Sequence, residues 1–118
     1  MRLSLIALSL LAVPAHAERL VTNPEMCAFA DPMDTQEMGM TLDATSFWEI
    51  EYFCEFEPPI VLDWSTERMQ TRVGYCSEPG LITPGVYTFQ SSPYEPGVVM
   101  LHEREADVPT EFRTCSTG

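Results

Sequence analysis

Phe47-Trp48-Glu49-Ile50-Glu51-Tyr52-Phe53-Cys54-Glu55-Phe56-Glu57 is the clearest alternating run in the chain. Its even positions, Trp48, Ile50, Tyr52, Cys54 and Phe56, are apolar. Its odd positions after Phe47 are Glu49, Glu51, Phe53, Glu55 and Glu57. Successive side chains of a strand point to opposite faces, so the run predicts one continuous strand, apolar toward a core and acidic toward water. Cys54 falls on the core side, where a disulfide is shielded.

Short apolar runs broken by Pro and Gly surround this stretch. Pro58-Pro59 ends it, and Ile60–Trp64 alternates again. Arg68–Cys76 predicts a further strand with Met69, Thr71, Val73 and Tyr75 on one face and Arg68, Gln70, Arg72 and Cys76 on the other. That parity sets Cys76 on a polar face, against a core disulfide, and a β-bulge at Gly74 would reverse it. Val86–Gln90 follows a Pro84-Gly85 turn, and Ser91–Gly97 reads as a loop. Val98–Glu103, Glu111–Cys115 and a short Gly39–Leu42 segment complete about seven short strands. The expected fold is all-β, a small antiparallel barrel or sandwich.

The first residues read as an export signal. Met1-Arg2 is basic, Leu3–Val13 is uncharged and mostly apolar, and Pro14 precedes Ala15-His16-Ala17, a small-x-small cleavage pattern. Residues 1–17 are thus expected to be a signal peptide and 18–118 a single mature β domain. The apolar run falls short of the roughly 20 residues that a permanent membrane anchor needs. The first cysteine is Cys27, too far from the cut for a lipid anchor. The expected destination is the periplasm or, alternatively, the medium outside the cell.

A domain of this size is marginal on core burial alone. The four cysteines, Cys27, Cys54, Cys76 and Cys115, all lie in the mature part, and an even count in an exported chain predicts two disulfides. Zinc is disfavoured because no CxxC pair exists and His102 is the only mature histidine. Spacing allows three pairings. Consecutive strands of a meander bring Cys54 beside Cys76, and domain termini often lie close together, which favours Cys54–Cys76 with Cys27–Cys115.

Charge narrows the partners. The chain has 18 Asp+Glu against 6 Lys+Arg, a formal net charge of −12, and every basic residue is arginine. Such a surface repels nucleic acid and anionic lipid and attracts cationic partners or divalent cations. The same surplus also keeps an exported protein soluble. Glu49, Glu51, Glu55 and Glu57 form the expected attraction surface for a cationic protein, with Arg68 and Arg72 neutralising some of them across a hairpin. Their i, i+2 spacing of about 6.5–7 Å would also suit paired acid/base chemistry, but a solvated strand face produces the same pattern.

No catalytic set emerges. His102 sits among apolar strand residues, lysine is absent, and the cysteines are committed to disulfides. No cofactor is implied, and the leading expectation is a non-enzymatic binding or protective module. The alternative is a metal-binding protein using the N-terminal segment. Asp31, Asp34 and Glu37 would suit calcium, and Met26, Met33, Met38 and Met40 would suit Cu(I), although neither set has a regular ligand spacing.

Several motifs resemble those of a group of small exported proteobacterial β-barrel proteins with two disulfides. They are Cys27, Gly39-Met40-Thr41-Leu42, Glu51-Tyr52-Phe53-Cys54, Cys76-Ser77-Glu78 and Phe112-Arg113-Thr114-Cys115. This resemblance supports the same cysteine pairing and implies no activity. The chain departs from the group in lacking a Trp ahead of Cys27 and in placing Pro79 after Glu78. In size, compartment and charge it is also similar to periplasmic lysozyme inhibitors, which makes a lysozyme one cationic partner to test.

Overall fold

The computed structural model describes residues 19–115. The signal-peptide reading of 1–17 lies outside the described residues, as does Glu18. The strands are β1 (Leu20–Val21), β2 (Thr41–Leu42), β3 (Ser46–Glu49), β4 (Tyr52–Glu57), β5 (Arg68–Glu78), β6 (Leu81–Ser91), β7 (Val98–Glu103) and β8 (Thr110–Thr114). They form an antiparallel barrel in sequence order, closed where β8 pairs with β1. Two short 3₁₀ helices, Pro24–Ala28 and Pro32–Thr35, lie between β1 and β2, each with a proline in its first turn and an Asn23 or Asp31 side chain accepting from a backbone N–H.

The run that predicted one strand is a hairpin. Ile50-Glu51 forms a two-residue turn, with Glu49 opposite Tyr52, Trp48 opposite Phe53 and Phe47 opposite Cys54. Glu51 takes a left-handed φ of 57°. The turn reverses the parity of everything before it. Phe47 is fully buried, whereas Trp48 faces outward against Phe53, with ring centroids 6.0 Å apart. Only Cys54 and Phe56 of the five even positions are buried. Ile60–Trp64 is extended chain rather than a strand. It crosses one end of the barrel with Ile60 in the core, and the Trp64 indole N–H donates to the Val98 carbonyl at 3.2 Å.

β5 corrects two expectations. Its register is regular against both β4 and β6, so no bulge occurs at Gly74. The inward face is the polar set that includes Cys76, and Met69, Val73 and Tyr75 are exposed. The polar side chains do not meet the core; they fasten the crossing segment. Gln70 accepts from Val61 N–H and donates to the Val61 carbonyl, at 2.7 and 3.0 Å. Arg72 donates to the carbonyls of Pro58 and Pro59, and Arg68 pairs with Asp63 at 3.0 Å. Arg68 and Arg72 therefore do not neutralise the β4 glutamates. Gly74 is needed for close approach: a Cβ there would overlap the Glu55 carbonyl oxygen and sit 2.8 Å from Phe56 Cα.

Pro84-Gly85 is not a turn but lies inside β6; the reversal is at Pro79-Gly80, between Glu78 and Leu81. The core gathers Phe47, Phe56, Tyr87 and Phe89 with Leu20, Leu42, Val99, Leu101 and Phe112. Phe47 meets Tyr87 edge-on at 5.1 Å, and Phe56 and Phe89 lie 4.8 Å apart. Cys54–Cys76 bridges directly opposed residues of β4 and β5, and Cys27–Cys115 ties the first 3₁₀ helix to the end of β8.

Candidate functional site

Strands of unequal length leave one end of the barrel open. β5 and β6 run to Glu78 and Leu81, but β7 pairs with β6 only over Tyr87–Gln90. Inward-facing residues near this end have no opposing sheet above them. With Val73, Pro84 and Val86 at the outer edge of the hairpin, they line a cleft of about 530 Å³ whose walls include Tyr52, Cys76, Glu78, Thr83, Gly85, Tyr87, Glu103 and Glu105.

Each wall residue owes its place to the ladder. Tyr52 opens β4 one position beyond Phe53, on the same face as Cys54. Tyr87 lies on β6 opposite Glu103 of β7. Its ring folds back beneath Gly85, where a Cβ would sit 2.7 Å from the Tyr87 Cζ. This brings the phenol to 2.9 Å from Cys76 Sγ, and with the sulfur held in a disulfide the hydroxyl is the donor.

Electrostatics at the cleft follow from burial beside carboxylates. Partial burial holds the Glu103 carboxyl above its ordinary value of 4.5. Burial first, and then the Glu103 charge, raises the Tyr87 phenol. Burial first, then Glu103, Tyr87, Glu78 and Glu49, pushes Tyr52 from 10.0 up to about 12. Both phenols keep their protons at neutral pH, half-buried Tyr52 and buried Tyr87 alike, beside a partly desolvated carboxylate. The carboxylates around them suit a guanidinium or ammonium group, held by Coulomb attraction. Arg104 is the cation on the cleft rim.

The structure divides the glutamates expected on one face. Glu49 shares the inward side of its pair with Tyr52 and belongs to the open end. Glu51 sits in the turn. Glu55 and Glu57 point outward on β4, beside Pro58, Pro59, Val73 and Tyr75, and the Tyr75 phenol donates to Glu55. Sequence reasoning missed Tyr52, Glu78, Tyr87 and Glu103 as a set, because they come from four strands and share no local spacing.

The N-terminal segment shows no cage for an ion. Asp31 caps its 3₁₀ helix through the Met33 N–H, Met26 is buried and Met33 is 64% exposed. Among the described residues no group of three or more His, Cys, Asp or Glu side chains is placed to hold a metal ion. His102 Nε2 lies 3.1 Å from Gln90 Oε1, outside the cleft. No family model, no curated protein and no solved structure matches this chain.

Proposed function

We propose that this protein is an exported, non-enzymatic module that binds a cationic protein at the open end of its barrel, in the periplasm or outside the cell. The observation that carries the reading is the gathering of Glu49, Glu78, Glu103 and Glu105 around Tyr52 and Tyr87. Of the described arginines only Arg104 stands at the cleft, one cation against four carboxylates. Arg19 and Arg72 donate to backbone carbonyls, and among the described residues the ion pairs are Arg68–Asp63 and Arg113–Glu111, both remote from the cleft. The two disulfides suit an oxidising compartment.

A panel of cationic proteins that includes lysozymes tests this. Binding of the oxidised protein should appear at low salt and weaken steeply toward physiological ionic strength, where the Debye length falls to about 8 Å. Replacing Glu78, Glu103 and Glu105 together by Gln should abolish it, and replacing Glu55 and Glu57 should not. Absence of binding to every member at low salt would remove the proposal.

A further inference from the structure

β7 leaves the sheet before β6 ends. Its ladder stops at Tyr87 opposite Glu103, while β6 continues to Leu81. On its other side β6 pairs with β5 without interruption from Leu81 to Ser91. Among the described residues no strand pairs with the second edge of Leu81–Val86.

Pro84 tells which backbone groups face that edge. A proline inside a paired strand must turn its nitrogen away from its partner. The register is regular, so Ile82 and Val86, at the same parity, also turn their N–H and C=O groups away from β5. Thr88 and Gln90 continue this parity and lie opposite His102 and Met100 of β7. The open edge is therefore the extension of a ladder that β7 occupies farther along. Its donors are Ile82 and Val86, and Pro84 supplies a carbonyl alone, which also limits indiscriminate edge pairing.

The two faces beside this edge differ in chemistry. Ile82 and Val86 point outward with exposures of 71% and 39%, next to the exposed Val73 and Tyr75 of β5. Thr83 and Gly85 point inward, to the cleft that holds Glu78, Glu103 and Glu105. An added strand would lay alternate side chains on apolar surface and on carboxylates. A second copy of this chain is a poor occupant, because it would bring two acidic clefts together on molecules that already carry 18 acidic against 6 basic residues.

We propose that Ile82–Val86 is a strand-addition site, where an extended segment of the cationic partner pairs with the backbone of β6, sets Lys or Arg side chains against Glu103 and Glu105, and rests apolar side chains beside Ile82 and Val86. This rests on the reading of the protein as a binder of cationic proteins and specifies where and in what conformation the partner is held. Main-chain pairing supplies affinity in this mode, and alternate side chains supply selectivity.

The probe is an end-blocked heptapeptide alternating valine and arginine, with affinity for the oxidised protein measured by calorimetry. Methylating alternate backbone nitrogens of the peptide keeps its charge and removes its donors; on wild-type protein this should weaken binding about tenfold or more. Val86→Pro removes an edge donor without touching the β5 ladder and should weaken the unmodified peptide to a similar extent, with the melting curve unchanged. If wild type binds cationic proteins but methylated and unmethylated peptides bind alike, the strand-addition site is wrong and the cationic-partner reading stands. If wild type binds neither peptide nor any cationic protein, both fall. A dimer at low salt that Val86→Pro dissociates would identify a second copy as the occupant and overturn the proposed partner.

Discussion

The β5–β6 hairpin lives in two environments along its length. Near Arg68–Arg72 and Tyr87–Ser91 it is enclosed: β7 covers the second edge of β6, and the crossing segment Pro58–Trp64 is tied to β5 by Gln70, Arg72 and Arg68. Near Gly74–Glu78 and Leu81–Gly85 the same ladder has β4 on one side only, an open edge on the other, and a cleft below. Pairing within the hairpin is continuous across the boundary. What distinguishes the enclosed half from the open one is the residue at which the neighbouring strand stops.

The largest expected effect comes from loosening the enclosed end. Cys27–Cys115 spans 88 residues, and the chain-entropy model assigns such a loop about 4–5 kcal/mol. Cys27→Ser with Cys115→Ser should bring the protein close to unfolding at room temperature, because a domain holds only about 5–15 kcal/mol in total. A denaturant titration that matches the wild type would refute this.

Next comes the boundary itself. Gly74→Ala puts a Cβ against the Glu55 carbonyl, a backbone group that can retreat only by parting β4 from β5. A loss of about 3 kcal/mol is expected. Hydrogen exchange should rise first in β4 and the outer half of β5. Protection lost uniformly over the barrel would show that the two halves are not separable.

Titration of the open end should be smaller in effect and opposite in sign. Burial raises the Glu103 pKa in the folded state, so its contribution is greatest in acid and is lost as pH climbs past 4.5 and through the raised value. Glu103→Gln should therefore melt higher than the wild type at neutral pH, with the gap closing as pH falls below that window. A gap that widens in acid would mean that Glu103 is held by a favourable partner instead. Tyr52 gives the alkaline counterpart: folded stability should fall between pH 10 and about 12 as its phenol ionises, and Tyr52→Phe should flatten that fall.

The smallest effect concerns the turn that aims Tyr52 into the cleft. Glu51 holds a φ of 57°, which costs a residue with a Cβ about 1 kcal/mol and glycine very little. Glu51→Gly should stabilise the protein by no more than that and leave the proposed binding of a cationic partner intact. A measured loss of stability would show that the Glu51 side chain has a role beyond the turn.

How far these features were legible depends on whether they are local. Val98–Glu103 was readable as a strand to the residue, because four apolar residues between a glycine and a charged turn leave little choice. The hairpin inside Phe47–Glu57 was hidden because Ile50-Glu51 has none of the Asn-Gly chemistry that marks a two-residue turn, and alternation continued through it unbroken. The faces of β5 were misassigned for a different reason. Its inward side chains meet a crossing chain with unsatisfied carbonyls, where arginine and glutamine serve better than valine. The excess of acid was plain, but which carboxylates converge was not.

Composition, punctuation by proline and glycine, and cysteine placement pointed to an all-β antiparallel domain and favoured, among three possible pairings, the Cys27–Cys115 and Cys54–Cys76 that the structure shows, since alternation and loop closure are properties of the chain itself. Only the tertiary structure decided which face of each strand is inside, that β7 ends short of the β6 tip, and that Tyr52, Glu78, Tyr87 and Glu103 meet. Those outcomes depend on registers between strands far apart in sequence, and a shift of one residue in any of them exchanges the two faces.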